Sequence, residues 1–494
     1  MPVSAAPDAP AGLSRRQLLV LAAILIASAA IYFYRLGANA LGASEAYSAL
    51  FAAMPGAAAI VRIPLAHGNA GTVLYYLALH YFTMIFGTGE AALRGFSALL
   101  AMASVALVFV IGCCLFDAKA ALAATAIWAF NPLAVVFARS GRMYSMFIAV
   151  ALAQFFVLWR LRRRPSVTLA AMCGILGAAM LYTHLAGVLI LAAEAVMLVR
   201  DTVRGQLNPF AWIAMALAAL LFAPYAPTAL ALSRELVESH WLDWIGATAR
   251  YSFGVKALAV AAVAAASLWL VLGSDFEPAG SGEPLRWLLA WTILPAGAML
   301  AGSVAVRPMF NGRYVAPAAA ALAILIAHVI GAYSPKIRNL AAAGFAAACL
   351  ILIRFDFPPS SPWRAFAHRV AAAGTAAEPV FFESGFVFQG QTGSPNGGFP
   401  FGYYSVPFDY YFHGRNPRIA VPGYDPAAAK PIIESRVATA GGGWLISWKN
   451  AAAIRPELPD PARFKSDEIL RRRDLAIYRI TPIGPAARPA GTGK

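Results

Sequence analysis

The sequence is poor in charged residues. Only 13% of its 494 residues are Asp, Glu, Lys or Arg, whereas 60% are hydrophobic. Soluble proteins carry about 25% charged and roughly 45–50% apolar residues, so this composition excludes an ordinary soluble globular protein. It predicts an integral membrane protein instead.

Acidic residues are the scarcer charge. The sequence has 23 Asp and Glu against 39 Lys and Arg, which gives a net charge of +16. In a soluble chain this balance would suggest a nucleic-acid partner, but here the basic residues cluster between apolar runs. Membrane proteins concentrate Lys and Arg in cytoplasmic loops, so topology explains the charge and no nucleic-acid partner is predicted.

Cysteine is rare as well. The four cysteines all fall inside apolar runs, at Cys113, Cys114, Cys173 and Cys349. The polar C-terminal region has none, so neither a disulfide framework nor a zinc site is predicted there. We expect these thiols to pack as small buried hydrophobic side chains.

Apolar runs of membrane-spanning length fill the first 354 residues. A span needs roughly 17–25 mostly apolar residues. The candidates, about eleven, cover residues 17–34, 91–115, 120–137, 142–159, 167–183, 185–199, 210–228, 256–273, 286–304, 314–333 and 338–354. With residues 1–16 as a cytoplasmic tail, nearly every basic cluster lands on the cytoplasmic side. We predict a multi-pass protein of the cell inner (plasma) membrane.

The first apolar run also has features of a signal peptide. Because the run is long and many spans follow it, we predict an uncleaved first helix; the residues after it lie outside in either case. Two short helices are predicted on the outer surface next, at 44–54 and 71–87. The second is short for a span and carries His80.

The composition changes after residue 354, where Pro, Gly, Asp and aromatic residues increase. The segment "SPWRAFAHRVAAAG" predicts a helix, and "PAAAKPIIESRVATAG" predicts another. Short buried strands are predicted at "PVFFES", "RIAV", "GGWLISWK" and "LAIYRIT". Helices alternating with strands indicate an α/β domain, here residues 355–481, which about eleven spans would place outside the cytoplasm. Residues 482–494 are expected to form a disordered tail.

Several charged residues fall on the predicted outer side. Arg139, Arg142, Arg307 and Arg313 oppose the positive-inside bias, and Glu45 is a lone acid directly after the first span. Charge near a bilayer is costly and therefore indicates function. The planar fork of arginine is suited to binding phosphate.

The order of these features resembles the polytopic GT-C glycosyltransferases. The resemblance is strongest to the family of dolichyl-phosphate-mannose protein mannosyltransferases and bacterial aminoarabinose transferases, or glycosyltransferase family 39. It is carried by "LGASEAYSALFAAM", "AHGNAGTVLYYLALHYFTMIFGTGEAALRGFSALL", "ARSGRMYSMFIAVALAQ", "YTHLAG" and "NGRYVAP". It covers roughly residues 17–330. The resemblance implies a GT-C-like fold, with residues 17–354 as a transmembrane catalytic domain and two juxtamembrane helices.

Two departures lie close to the implied reaction centre. The family usually has Asp-Glu in its acidic loop, with the Asp assigned the catalytic role, and here the pair is Ser44-Glu45. The Pro-Pro that follows the family's histidine is replaced by Gly68-Asn69-Ala70. These changes bear on activity, substrate and metal use.

The resemblance implies transfer of a sugar from a polyprenyl-phosphate donor to an extracytoplasmic hydroxyl of a lipid, glycan or protein acceptor. Glu45 is the candidate general base. Arg139, Arg142, Tyr144, Arg313 and Tyr314 are the candidates for the donor phosphate. Arg62, His67, Tyr75, His184, Trp241 and Asp243 are the candidates for substrate binding. No cofactor is assigned; a divalent metal stays open, with His67 and Glu45 too few to define a site.

Most of these residues also have a simpler interpretation. Glu45 could form the polar face of an interfacial helix or pair with Arg62, and His67 or His184 could be core residues. Arg142 and Arg313, with the tyrosines after them, could anchor helix ends at the interface, a common use of both residue types. Asp243 with its neighbouring tryptophans fits an aromatic belt and a sugar site equally well.

Two other functions remain open at this point. A non-catalytic relative could bind lipid phosphate or glycan without turnover, which Ser44 in place of Asp keeps in consideration. A transporter or lipid flippase is the second, but such proteins tend to show internal repeats and charges at the bilayer midplane. The sequence shows no repeat, and its distinctive polar groups gather at the predicted outer rim.

Overall fold

The protein is described here from a computed structural model. The structure describes residues 13–66, 73–235, 282–305, 311–352, 361–384, 406–422, 425–450, 452–472 and 475–484. The chain divides into two compact units. Unit 1 comprises Met1–Leu36 and Ile60–Phe357, and unit 2 comprises Gly37–Ala59 and Pro358–Lys494.

Helices dominate the described residues. In chain order they are α1 Arg15–Phe33, α2 Ala43–Ala52, α3 Ala57–Ala66, α4 Val73–Phe86, α5 Glu90–Leu115, α6 Ala118–Ala129, α7 Pro132–Ala138, α8 Tyr144–Arg163, α9 Val167–Thr183, α10 Gly187–Val203, α11 Pro209–Phe222, α12 Ala226–Glu235, α13 Gly282–Ala305, α14 Ala316–Gly331, α15 Pro335–Leu352, α16 Trp363–Ala373, α17 Val406–Asp409 and α18 Pro426–Ala440. Short 3-10 turns precede α12 at Ala223–Tyr225 and α14 at Gly312–Val315.

The chain is a multi-pass membrane protein. Six helices of the described residues are long and apolar enough to cross a bilayer, or seven if α6 and α7, bent by 61°, form one broken span. The predicted total of about eleven stays a prediction, and the candidate at 256–273 lies outside the described residues. The 14-residue helix α4 is apolar but short, so its predicted interfacial position also stays a prediction.

Local sequence explains where the helices of unit 1 begin. Asn131 caps α7 by accepting a hydrogen bond from the Leu133 amide at 2.9 Å, and a proline follows at the first helical position. Ser166 caps α9 in the same way, through the Leu169 amide at 3.2 Å. Such caps satisfy amides that have no partner within the helix. They fix the residues at which α7 and α9 begin.

Small residues and buried polar groups join the spans. A Cβ on Gly174 of α9 would lie 2.9 Å from the carbonyl oxygen of Ala214 on α11, so only glycine permits this approach. Glu194 of α10 is fully buried. It accepts hydrogen bonds from Gln154 of α8 at 2.8 Å and from the Trp291 indole of α13 at 3.2 Å. This polar contact links three helices inside the bundle.

Unit 2 contains a five-stranded sheet. Its strands are β1 Val380–Ser384, β2 Arg418–Pro422, β3 Gly443–Ser447, β4 Phe464–Arg472 and β5 Leu475–Pro482, in the spatial order β2-β1-β3-β5-β4. Strand β1 is parallel to β2 and β3, and β5 is antiparallel to β3 and β4. The short strands predicted from the four apolar segments are confirmed, as are the helices α16 and α18.

Both faces of this sheet are covered, as the alternation along β1 requires. Val380 and Phe382 join the core that includes α16 and α17, whereas Phe381 joins the core under α18. The edge strand β4 was missed by sequence reasoning. Its segment "FKSDEILRR" is largely polar and only Phe464 is buried, so it lacks the apolar run that marked the other strands.

The beginning of the chain departs from the predicted division. Residues 37–59 were predicted to lie in a continuous domain 17–354, but the structure groups Gly37–Ala59 with the C-terminal residues in unit 2. Three helices, α2, α3 and α4, occupy the part predicted to hold two. The extra helix is α3, whose apolar segment "AAAIVRIPLA" lies between the two predicted helices.

Candidate functional site

Two residues far apart in sequence meet at the start of α8. The Arg313 Nη1 donates a hydrogen bond to the Tyr144 hydroxyl at 3.4 Å, and its guanidinium carbon lies 5.9 Å from the Tyr144 ring centre. Asn311 orients the same side chain by accepting from its Nε at 3.0 Å. Tyr144 is buried, while Arg313 is exposed. The guanidinium of Arg313 is therefore accessible and lies over the ring of a buried tyrosine.

His184 lies within this aromatic group, between α9 and α10. Its ring stacks on Phe147 with centroids 5.0 Å apart, and the Tyr314 and Tyr144 rings lie at 5.1 and 6.0 Å. The Ala186 amide donates to Nδ1 at 3.1 Å. A neutral imidazole whose Nδ1 accepts a hydrogen bond carries its proton on Nε2. His184 thus has a donor at Nε2.

The surroundings keep His184 uncharged. Burial, together with the positive charges of Arg142 and Arg313, lowers the pKa of His184 to about 3. Desolvation and neighbouring cations both disfavour an imidazolium, so the two causes act in the same direction. At neutral pH the side chain is a hydrogen-bond donor and acceptor without charge.

Arg142 stands in the short loop before α8. Its amide donates to the Ser140 carbonyl at 2.7 Å, and its own carbonyl accepts from the Ser97 hydroxyl at 3.2 Å. The guanidinium is hydrogen-bonded with Tyr76 of α4 and lies near Tyr75. Both tyrosines are buried. Of the predicted residues, the structure therefore brings together Arg142, Tyr144, His184, Arg313 and Tyr314, with Tyr75 beside Arg142.

Arg139 has different surroundings from those predicted. Its side chain is 3% exposed, and its Nη1 donates to the carbonyl oxygens of Ile31 at 2.8 Å and Tyr34 at 2.7 Å. These carbonyls belong to the C-terminal end of α1, where four carbonyls have no partner within the helix. Arg139 therefore acts as a clamp on α1.

Arg94 does the same for the residues after α1. Its side chain is fully buried in α5, and its Nη1 donates to the Leu36 carbonyl at 2.7 Å. Arg94 lies within one of the segments that carry the family resemblance, but it is not among the predicted site residues. A basic residue inside an apolar helix was the signal that could have singled it out.

Glu45 lies in unit 2, on the first turn of α2. It is 5% exposed, and its Oε2 accepts a hydrogen bond from the Gly42 amide at 3.0 Å. A carboxylate at this position is favoured by the helix dipole and satisfies an amide at the helix start. Glu45 is thus a buried capping residue and does not form an exposed polar face.

The remaining predicted residues cannot be placed in the site. His67, Trp241 and Asp243 lie outside the described residues; Arg62 belongs to α3, but its side chain lies outside the described part as well. Within the described residues, no group of three or more His, Cys, Asp or Glu side chains could hold a metal ion.

Comparison with known proteins gives a partial family match and full-length structural matches. The sequence model of the family "dolichyl-phosphate-mannose-protein mannosyltransferase" matches residues 70–228. No curated protein matches the sequence. ArnT from Cupriavidus metallidurans bound to undecaprenyl phosphate is similar with a TM-score of 0.54 at 14% identity, over 94% of this chain and 98% of ArnT.

Two further solved structures agree with this. The apo state of the same ArnT is similar with a TM-score of 0.55 at 15% identity and the same coverage. The Archaeoglobus fulgidus oligosaccharyltransferase tethered to an acceptor peptide is similar with a TM-score of 0.53 at 12% identity, over 87% of this chain and 69% of that protein. The chain has the GT-C fold.

The family match covers only part of the site of this GT-C-fold protein. Residues 70–228 contain Tyr75, Arg142, Tyr144 and His184. Arg313 follows the match, and Glu45 precedes it. The grouping of Arg313 with Tyr144 and His184 consequently comes from the structure, and the role of Glu45 has to be argued from its own surroundings.

Proposed function

We propose that this GT-C-fold protein is a membrane glycosyltransferase that moves a sugar from a polyprenyl-phosphate donor to a hydroxyl of an extracytoplasmic acceptor. The main support is the full-length similarity to ArnT, a protein solved with undecaprenyl phosphate bound. The partial match to a mannosyltransferase family, which includes Tyr75, Arg142, Tyr144 and His184, points the same way.

The donor phosphate is proposed to bind beside Arg313. That side chain is exposed, is held by Asn311 and Tyr144, and carries a fork of donors suited to phosphate oxygens. Arg142 adds a second positive charge, and the Nε2–H of His184 adds an uncharged donor. The polyprenyl tail can stay in lipid because the cluster lies at the ends of spans α8 and α14.

Arg139 is removed from the proposed phosphate contacts. Its Nη1 is already engaged by two backbone carbonyls, and its guanidinium is buried. A phosphate at this position would have to displace the C-terminal end of α1. We assign Arg139 to the framework and leave the phosphate to Arg142, Tyr144, Arg313 and Tyr314.

The proposed transfer has Glu45 as the general base. The acceptor oxygen forms a bond to the anomeric carbon of the sugar while the bond from that carbon to the phosphate oxygen breaks. The hydroxyl proton passes to the Glu45 carboxylate, and the electron pair of the broken bond leaves on the phosphate, where the arginines stabilise it. A carboxylate can accept about four hydrogen bonds, so capping Gly42 is compatible with this role.

Several parts of the proposal come from the predicted topology. The site and unit 2 are assigned to the extracytoplasmic side, and the protein to the inner (plasma) membrane, because the basic clusters then fall in the cytoplasm. The acceptor is a lipid, glycan or protein.

The direct test is a transfer assay with purified protein in liposomes. The lipid phosphates that co-purify are identified by mass spectrometry and supplied, loaded with sugar, together with candidate acceptors. A polyprenyl phosphate is expected among the bound lipids, and label is expected to move from donor to acceptor. Absence of any bound polyprenyl phosphate, with no transfer, would contradict the proposal.

One observation favours a second candidate function. Ser44 stands where the family usually has the catalytic Asp, and Glu45 caps its own helix. A protein with these features could bind a lipid phosphate without turnover. In that case polyprenyl phosphate would co-purify, and transfer would be absent from every donor and acceptor combination.

A further inference from the structure

A hydrogen bond joins two parts of unit 2 that are 370 residues apart. The Leu41 amide donates to the Tyr411 hydroxyl at 2.6 Å. Leu41 is fully buried, and the next residue, Gly42, is the N-cap of α2. Gly42 in turn donates to the Glu45 carboxylate. Tyr411 is therefore connected to the proposed base through two hydrogen bonds and the peptide bond between Leu41 and Gly42.

Tyr411 is held by the core of the C-terminal α/β part. It follows α17, and its ring packs against the core that contains Phe408 of α17 and the next residue, Phe412. The Arg364 guanidinium lies 5.5 Å from the Tyr411 ring centre. A tyrosine fixed by packing on its ring presents its hydroxyl in one position.

Arg418 fixes α17 to the sheet. Its Nε donates to the Asp409 carboxylate at 2.8 Å, and its Nη2 donates to the Phe412 carbonyl at 3.3 Å. Arg418 is the first residue of strand β2. Arg418 thus ties the residues on both sides of Tyr411 to a paired strand.

Helix α2, which carries Glu45, is itself largely buried. Seven of the ten residues of α2 are buried, among them Glu45, Tyr47 and Phe51. Gly37–Ala59 belongs to the same compact unit as the sheet, although more than 300 residues separate them in the sequence. Because α2 is buried within unit 2, the packing of unit 2 determines where this helix lies.

We infer that the C-terminal α/β part of unit 2 positions helix α2. In this inference Tyr411 is a positioning residue for Glu45, and it acts through the Leu41 amide. The inference rests on the proposed function for its catalytic consequence. A displacement of about 1 Å at a reacting group can cost about 10²-fold in rate, so loss of this contact should lower kcat. Donor affinity should be unaffected, because the contact between Tyr411 and Leu41 includes none of the residues proposed to bind the donor phosphate.

The test compares Tyr411→Phe with wild type in full-length protein reconstituted in nanodiscs. Hydrogen–deuterium exchange is measured on peptides covering Leu41 to Ala52, which requires no activity. About tenfold faster exchange is expected there in Y411F, since the variant removes the acceptor of the Leu41 amide. Turnover is measured in parallel, with about tenfold or greater loss of kcat and unchanged KM for donor expected.

Tyr478→Phe is the matched control. Its hydroxyl also lies in unit 2 and is hydrogen-bonded, to Glu468 and Arg471, so the same chemical change is made away from α2. Y478F should leave exchange at residues 41–52 unchanged. Arg364→Gln, which removes the cation over the Tyr411 ring and leaves the Tyr411 hydroxyl in place, is a second variant and should accelerate the same peptides to a smaller degree.

The two readouts separate the inference from the proposed function. Unchanged exchange at residues 41–52 in Y411F overturns the inference whatever the activity. The same loss of kcat in Y478F as in Y411F also overturns it, because the effect would then reflect general destabilisation. A wild-type protein that transfers no sugar overturns the proposed function, and the exchange result still decides the positioning.

Discussion

Arg139 donates a hydrogen bond to the Tyr34 carbonyl at 2.7 Å, at the point where the first span ends. The same Nη1 reaches the Ile31 carbonyl. A side chain that sequence reasoning assigned to a lipid phosphate is therefore engaged in holding the protein's own backbone. Arginines on one side of a membrane protein need not share one function, and their partners distinguish them.

Arg139→Gln should destabilise the protein without a selective effect on donor binding. Hydrogen bonds to a charged group contribute about 1.5–3 kcal/mol, and the carbonyls of α1 would be left with fewer donors. We expect a lower unfolding midpoint in nanodiscs and unchanged donor affinity of the folded fraction. A variant with wild-type stability and weak donor binding would return Arg139 to the phosphate site.

Arg313→Gln should show the opposite pattern. Arg313 is exposed and holds no backbone carbonyl in the described contacts, so its removal should leave the unfolding midpoint nearly unchanged. Donor affinity should fall by about 10- to 100-fold, as expected for loss of a charged hydrogen bond. Binding of a polyprenyl phosphate measured in both arginine variants provides the comparison; equal affinities would contradict the assignment.

His184 should make the stability of the protein depend on pH. Its folded-state pKa of about 3 lies below the ordinary value of 6.5. As the pH falls below about 6.5, the unfolded chain binds a proton at this residue and the folded chain does not. Stability is therefore present above pH 6.5 and is lost progressively toward pH 3.

His184→Gln isolates this contribution. The unfolding midpoint of wild type should fall more steeply between pH 6.5 and pH 5 than that of H184Q. Each pH unit corresponds to at most about 1.4 kcal/mol for one group. Parallel curves for the two proteins would show that the imidazole is protonated in the folded state over this range.

The predicted topology can be tested with single cysteines in a background without the four native ones. Ala53→Cys and Gly312→Cys replace exposed residues, the first directly after α2 and the second directly before Arg313. Arg164→Cys lies after the far end of α8, which is about 30 Å long. An impermeant thiol reagent applied to sealed cells should label the first two and not the third. Labelling of only one of the first pair would contradict the predicted topology.

Much of unit 2 could be predicted because four of its five strands carry short apolar runs in the sequence. "VFFES" and "GWLIS" each fill a strand that is covered on both faces. β4 could not be found in this way, since its segment "FKSDEILRR" is largely polar and has no apolar run. The grouping of α2 with the sheet was also beyond sequence reasoning, because a contact between Leu41 and Tyr411 leaves no local periodicity.

The candidate site was predicted unevenly for a physical reason. Tyr144, His184 and Arg313 stand out by chemical type at the ends of apolar runs, and the structure brings them together. Arg139 has the same chemical type and the same location in the sequence. Whether an arginine at a helix end points outward or back onto a neighbouring backbone depends on packing between helices, which a single sequence does not reveal.

The most direct test of the central claim compares Glu45→Gln with Glu45→Ala in the transfer assay. Glutamine still offers an oxygen to the Gly42 amide but cannot take up a proton, whereas alanine loses both capacities. The account predicts that E45Q binds donor like wild type and transfers sugar about 10²- to 10⁴-fold more slowly. Wild-type transfer by E45Q, with loss only in E45A, would show that Glu45 caps its helix and takes no part in the reaction.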